Sequence, residues 1–236
     1  MSNIRLHKIR ESERKSHIET YSNEDLYREG SWLQKPIKTV LDLLPLFEGY
    51  KEFRGLDLGC GVGRNCIAVA KHFRQIPCII ECVDILELAI EKLLWNAKEA
   101  GVSSAIKGTI LPIEDYLIKE NAYDLVLAVS ALEHMDTKES LIRKLAEINR
   151  GIRAGGVVCL VINSEVTEKA KATGEVWEPQ FEINLPTEDL QKLLEKSFAG
   201  WEILKTGVRS QQYDIPRECG TSELETNVVT FVARKE

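Results

Sequence analysis

The sequence predicts a doubly wound α/β protein with a seven-stranded, mainly parallel sheet. Three observations carry that expectation. From residue 53 onward, apolar runs of strand length alternate with segments of helical spacing. A glycine-rich turn, Gly59-Cys60-Gly61-Val62-Gly63, stands between the first strand and the first helix of that series. Residues 125–129 are apolar throughout, the pattern of a strand buried on both faces. Alternating β and α in this order gives parallel strands joined by right-handed crossovers, with helices on both sides of the sheet.

Each element has its own signal. Residues 1–31 are polar, with Arg5, Lys8, Arg10, Arg14 and Lys15 mixed with Glu11 and Glu13, and are expected to form a helical or partly ordered arm. Tyr21, Tyr27 and Trp32 bring aromatic rings into this polar setting. Ile37, Val40, Leu41 and Leu44 recur at helical spacing, so a helix precedes the core. Strand 53–58 leads into helix 62–73, strand 78–83 into helix 86–100, which stops at Gly101. A short third strand is expected at 106–111 and the fourth at 125–129. Helix 138–152 is closed by Gly155-Gly156, and 157–162 is the fifth strand. Pro186-Thr187-Glu188 opens helix 186–198, and 201–206 and 228–233 are the last two strands. Stretches 164–185 and 207–227 read as connections longer than ordinary loops, a feature of lids and binding loops. The expected organisation is an arm or lid at 1–32 and one domain at 33–236.

Composition bounds the function. A net charge of −6 and a pI near 5.5 give no general attraction to nucleic acid or an anionic membrane. No apolar run approaches the ~18 residues of a membrane span, and the first residues lack a signal peptide's apolar stretch. Cys60, Cys66, Cys78, Cys82, Cys159 and Cys219 show no metal-ligand spacing, so no metal site is expected, and they read as reduced thiols of a cytoplasmic protein.

The chemistry lies in Leu56-Asp57-Leu58-Gly59-Cys60-Gly61-Val62-Gly63-Arg64-Asn65. Glycines let the turn take positive φ and let the backbone approach a ligand. The dinucleotide pattern G-x-G-x-x-G fails, because its last position is Arg64, and no Gly-Lys-Ser/Thr follows for a P-loop. Asp57, two residues before the first glycine, would repel a pyrophosphate and suits a ligand with an ammonium group. S-adenosylmethionine (SAM) is such a ligand, and it has no phosphate. Asp84 ends the second strand 23 residues past Gly61, close to the roughly 20 of a ribose-binding acid. A helix N-cap is the other role open to it.

The run Asp57-Leu58-Gly59-Cys60-Gly61-Val62-Gly63, with strand before and helix after, resembles motif I of class I SAM-dependent methyltransferases. Its Gly-Arg-Asn tail is loosely similar to tellurite-resistance-type and related small-molecule methyltransferases. Tyr123-Asp124-Leu125-Val126-Leu127-Ala128-Val129-Ser130-Ala131-Leu132-Glu133-His134 resembles motif IV. The resemblance implies the Rossmann-like methyltransferase fold with an antiparallel last strand, and SAM as cofactor with S-adenosylhomocysteine as product. It implies cofactor contacts at Asp57, Gly59, Cys60, Gly61, Asn65, Asp84, Ile85, Val129 and Ser130. After the third strand, Pro112 stands where many relatives carry an adenine-binding Asp. Either Glu114 or Asp115 substitutes, or the backbone of Ile113 and Glu114 holds the adenine.

Methyl transfer is an in-line displacement that depends on alignment in a dry pocket. A hydroxyl or ammonium acceptor must also lose a proton, for which His is the usual agent. His134, just past the fourth strand, is the candidate base, and Glu133 is the candidate to orient it or to meet a substrate amine. Tyr21, Tyr27, Trp32, Trp177, Arg209 and Tyr213 are further candidates for the pocket. The expected reaction is methyl transfer to a small molecule. The alternatives are an RNA or protein methyltransferase gripping its target with the basic arm, and a SAM-binding protein without catalysis. Acceptor atom and oligomeric state are not written in the sequence.

Overall fold

The computed structural model describes residues 3–217 and 220–236; Cys219 lies outside the described residues. Helix α1 (Asn3–Asn23) is followed by a short α2 (Lys38–Leu43). The core then runs β1 (Phe53–Leu58), α3 (Cys66–His72), β2 (Cys78–Asp84), α4 (Glu87–Glu99), β3 (Ile106–Ile110), β4 (Tyr123–Val129), α5 (Lys138–Gly151) and β5 (Ile152–Ala170). It ends with β6 (Val176–Trp177), α6 (Thr187–Ser197), β7 (Glu202–Arg217) and β8 (Gly220–Arg234). The sheet has eight strands in the order β3-β2-β1-β4-β5-β8-β7, with β6 beside β5. Strands β1 to β5 pair in parallel along this path, and β8 and β7 add antiparallel.

Two apolar cores cover the two faces. On one, Phe53 and Phe73 stack at 4.0 Å and pack with Phe47, Ile67 and Leu93. On the other, Leu141, Leu145 and Ile148 of α5 and Leu190 and Leu194 of α6 meet Val126 and Leu160. Every residue of β4 is buried. The chain order reverses direction across β1 and β4, and a ligand crevice in an open α/β sheet belongs at such a point, outside the carboxyl ends of the strands.

The expected α/β class, the parallel core and the antiparallel ending are all present. Three expectations need correction. First, there are eight strands, because the two-residue β6 pairs with Glu168 and Lys169 and is too short to leave a periodic signal. Second, the supposed long connections are largely strand. Beyond residue 162, β5 continues to Ala170 after an irregularity between Ser164 and Thr167, where Glu165 takes a φ of +48°. β7 and β8 stay paired from Glu202↔Arg234 to Arg217↔Gly220. This three-stranded wing escapes detection because its buried positions are partly polar: Ser164 and Glu168 face inward on β5, and Ser222 and Thr226 on β8. Glu168 is buried against Arg217, which forms two parallel hydrogen bonds to it at 2.7 and 3.0 Å, while Ser222 Oγ donates to it at 2.5 Å. Third, the helix expected from residue 62 starts only at Cys66, since 59–65 are spent on the turn.

Candidate functional site

A cleft of about 1440 Å³ opens at the carboxyl ends of β1, β2 and β4. Pockets for one small ligand hold ~300–1,000 Å³, so this one has room for more than one. The glycine turn forms its floor, α1 lies over it, and the wing supplies a wall through Tyr213, Ile215 and Leu224.

The turn is built by backbone geometry. Gly59 and Gly61 have φ of +70° and +52°, a region open to glycine at little cost. A Cβ on Gly59 would collide with that of Ala131, beyond the end of β4. A Cβ on Gly61 would come within 2.8 Å of the Tyr21 hydroxyl of α1, so that space is shared with α1 and is not the ligand's alone. The amides of Gly59 and Cys60 donate to Val83 O, that of Gly61 to Asp84 Oδ2 at 2.9 Å, and that of Gly63 to Cys60 O. With these amides committed, the turn has little to offer a phosphate, in keeping with the failed phosphate motifs.

Asp84 sits at the edge of the turn, mostly buried. Its Oδ1 accepts the Leu86 amide at 2.9 Å and its Oδ2 the Gly61 amide, and each oxygen keeps a further lone pair. Burial raises its pKa against these hydrogen bonds. The N-cap of α4 is Leu86, so Asp84 forms a local turn one step earlier and is not the cap. Ile85 and Ile110 line the cleft beside it and stay about half exposed, apolar surface suited to a flat base. Asn65 Oδ1 accepts the Ile37 amide at 3.1 Å while the residue faces the cleft. Ser130 takes a φ of +51°, and its amide donates to Val161 O at 2.7 Å, turning the chain sharply off β4.

Of the expected cofactor residues, Gly59, Cys60, Gly61, Asn65, Asp84, Ile85, Ile113, Glu114, Val129 and Ser130 all line the cleft. Asp57 does not. Its carboxylate accepts hydrogen bonds from the Cys66 amide and thiol, so it anchors the start of α3 below the turn. One oxygen is buried without a partner, and burial together with the Asp84 charge pushes its pKa up to about 7. A direct contact to a ligand ammonium does not follow from this position. Near the expected adenine, Glu114 lines the cleft and pairs with Arg10 of α1, whereas Asp115 does not reach it.

His134 ends the 3-10 turn Leu132–His134 and exposes 27% of its side chain. Its ring stacks on Phe181 at 5.1 Å, and Nδ1 lies 2.9 Å from Glu182 Oε2. Burial lowers its pKa, but the Glu182 hydrogen bond and the Glu133 charge outweigh this and raise it to about 9. Glu133 is not the residue that orients His134. It points away from the cleft, and its Oε1 accepts from the amide and side chain of Asn163. Its other oxygen is buried without a partner, and burial raises its pKa. The orienting carboxylate is Glu182, which also lies 3.7 Å from Arg10 Nε. Neither Glu182 nor Arg10 is legible as a site residue in the sequence: one falls in the stretch 164–185 that reads as a connection, the other in a run of charges. Tyr21, Trp32 and Tyr213 line the cleft as expected; Tyr27, Trp177 and Arg209 do not. Tyr27 instead donates to Arg64 O at 3.0 Å.

The comparisons with known proteins agree with this geometry. Residues 56–156 match the family model for a methyltransferase domain. The chain is 28% identical over 127 residues to ajmaline N-methyltransferase of Rauvolfia serpentina, covering 54% of this chain and 41% of that protein. It therefore spans less than half the length of that curated relative. Its fold matches TehB from Haemophilus influenzae with a TM-score of 0.63 at 18% identity, over 85% of this chain and 62% of that one. It also matches a geranyl diphosphate methyltransferase solved with SAM, with a TM-score of 0.56 at 14% identity and 84% coverage of each. Over residues 56–156 the chain is similar to methyltransferase domains, and one structural neighbour was solved with S-adenosylmethionine bound. The cleft fits that group: a glycine turn at its floor, the mostly buried acid Asp84 at its edge, the apolar side chains of Ile85 and Ile110 beside it, and little provision for phosphate.

Proposed function

We propose that the protein transfers the methyl group of SAM to a small-molecule acceptor, an amine in particular. The observation that carries the reading is the closure of the cleft, roofed by α1 and walled by the wing, with space beyond one ligand. Carboxylates outnumber basic side chains along its walls, which favours cationic guests. The name of the Rauvolfia relative, an N-methyltransferase, points the same way. When bound, SAM supplies an activated methyl on a sulfonium leaving group. The chain's own residues align and shield it: Asp84 receives the ribose hydroxyls, Ile85 and Ile113 flank the adenine, Glu114 stands at its edge, and Val129 and Ser130 border the methionine end. His134 takes the acceptor's proton. Residues 1–32 serve as the lid. The five described cysteines are unpaired and no described helix is long and apolar enough to cross a membrane, which supports a cytoplasmic setting.

The macromolecular alternative is less favoured, because basic residues of the arm are spent within the fold. Arg5 pairs with Glu178 at 2.6 Å, and Arg10 with Glu114 and Glu182. The test is transfer of labelled methyl from SAM to panels of small amines, hydroxyls and thiols, run beside RNA and protein substrates. Label on small amines alone supports the reading; label only on RNA, lost at raised salt, replaces it.

A further inference from the structure

The arm and the candidate base are joined by an uninterrupted line of alternating charge. Glu114, past β3, pairs with Arg10 of α1. Arg10 Nε lies 3.7 Å from Glu182 Oε1. The other oxygen of Glu182, Oε2, is 2.9 Å from His134 Nδ1. Glu182 itself is all but buried, its side chain 2% exposed, so the two oxygens serve two cations and little else. His134 Nε2 makes no hydrogen bond among the described residues, and the ring lines the cleft. A base held through one nitrogen by a carboxylate, with the other nitrogen free, is the arrangement of an oriented proton acceptor.

We infer that Glu182 is a positioning residue for His134, and that Arg10 of α1, drawing on the same carboxylate, lets the imidazole release its proton more readily than Glu182 alone would. The inference rests on the methyl-transfer reading for its purpose, but its geometry stands apart from turnover. Glu182 accepts Nδ1–H and so leaves Nε2 as the basic atom. In the reaction the acceptor's lone pair forms a bond to the methyl carbon, the carbon–sulfur pair departs with sulfur, and the acceptor's N–H or O–H proton passes to Nε2. For that, His134 must first be neutral. Its carboxylate neighbours oppose this: Glu182 from the segment before α6, Glu133 from its own turn and Glu13 from α1. Arg10 is the cation set against them, sharing Glu182 and facing Glu114 and Asp136. α1 brings Glu13 as well as Arg10 to the imidazole, so the effect of Arg10 is read from its own substitution; with α1 in place the imidazole still titrates at about 9.

The experiment needs neither cofactor nor acceptor. The full chain is labelled at histidine Cε1, and the four histidines are followed by NMR against pH, with His134 assigned from its loss in His134→Asn. The wild-type midpoint is expected near 9. Glu182→Gln should lower it by a unit or more, a tenfold loss of proton affinity or greater, and Arg10→Met should raise it. Carbethoxylation of His134 by diethyl pyrocarbonate, read by peptide mass at pH 7, should be faster in Glu182→Gln and slower in Arg10→Met. An unmoved midpoint in Glu182→Gln overturns the positioning role. A midpoint that moves in Glu182→Gln but stays or falls in Arg10→Met overturns the link to the arm. Should Glu182→Gln not fold, Glu182→Asp, which keeps the charge but shortens its reach, replaces it with the same direction expected. Absence of methyl transfer would sink the functional reading and leave these titrations as they are.

Discussion

The parallel half of the sheet and the antiparallel wing hold together by different means. In β1, β2 and β4 the buried residues are almost all apolar, and Asp57, Asp84 and Asp124 are the buried acids there. In the outer reach of the wing, Glu168 and Ser222 are buried beside Ala170 and Leu224, and Glu168 is held by Arg217. The contrast extends to the cleft. The parallel half provides a fixed floor from glycine geometry and packed strand ends. The roof, α1, is polar along its length, with Ile9 and Tyr21 its buried apolar residues among those described, and it is tied down through ion pairs. A rigid, apolar half suits a cofactor that must be aligned. A roof held by charges suits the lid role proposed for it.

Substitutions can break that contrast at graded cost. Glu168→Ala should be the most damaging to stability, by about 3–5 kcal/mol in urea denaturation, because it strands the Arg217 guanidinium in a buried site. Replacing both, Glu168→Leu with Arg217→Met, should recover most of the loss; a single Ala variant as stable as wild type would show that the pair contributes nothing. In the other half, Gly61→Val should abolish measurable SAM binding, through side-chain bulk and a φ that a β-branched residue resists. Normal calorimetric affinity in a folded Gly61→Val protein would remove that glycine from the cofactor floor. Asp84→Ala should weaken SAM by roughly 1.5–3 kcal/mol, the scale of a hydrogen bond to a charged group, and unchanged affinity would free Asp84 from the ribose. Smallest of all, Arg5→Ala should cost under about 1 kcal/mol of thermal stability, as expected of an exposed ion pair at the edge of the roof. A larger loss would mean that the arm is bound more firmly than its charges imply.

The same contrast separates what the sequence makes legible from what it hides. Strand β1 is found at the predicted bounds, 53–58, and α5 and α6 within a residue or two, because apolar periodicity there answers directly to burial. The outer parts of β5, β7 and β8 read as loops in the sequence. Their backbones are satisfied by cross-strand pairing, and β7 is an exposed edge strand, so no apolar stripe was needed. The site divides likewise. The glycines, Asp84 and Ser130 lie next to sequence motifs whose local geometry places them. Asp57 has the right chemical type, yet its side chain goes to the α3 N-terminus; which way it points depends on Cys66, nine residues on. Glu133 and Glu182 are both acids near His134. Only the path of the chain after β6 decides that the distant one bonds the imidazole and the adjacent one bonds Asn163.

By itself the sequence determined the α/β class, the parallel core and the glycine floor, since these follow from short-range rules: alternation of apolar residues, and φ angles open to glycine. Tertiary structure alone decided which charges meet. Arg10, Glu114, His134 and Glu182 come from four separate segments, and an ion pair between distant residues leaves no periodic trace. Its energy depends on separation and burial, quantities that exist only once the chain has folded.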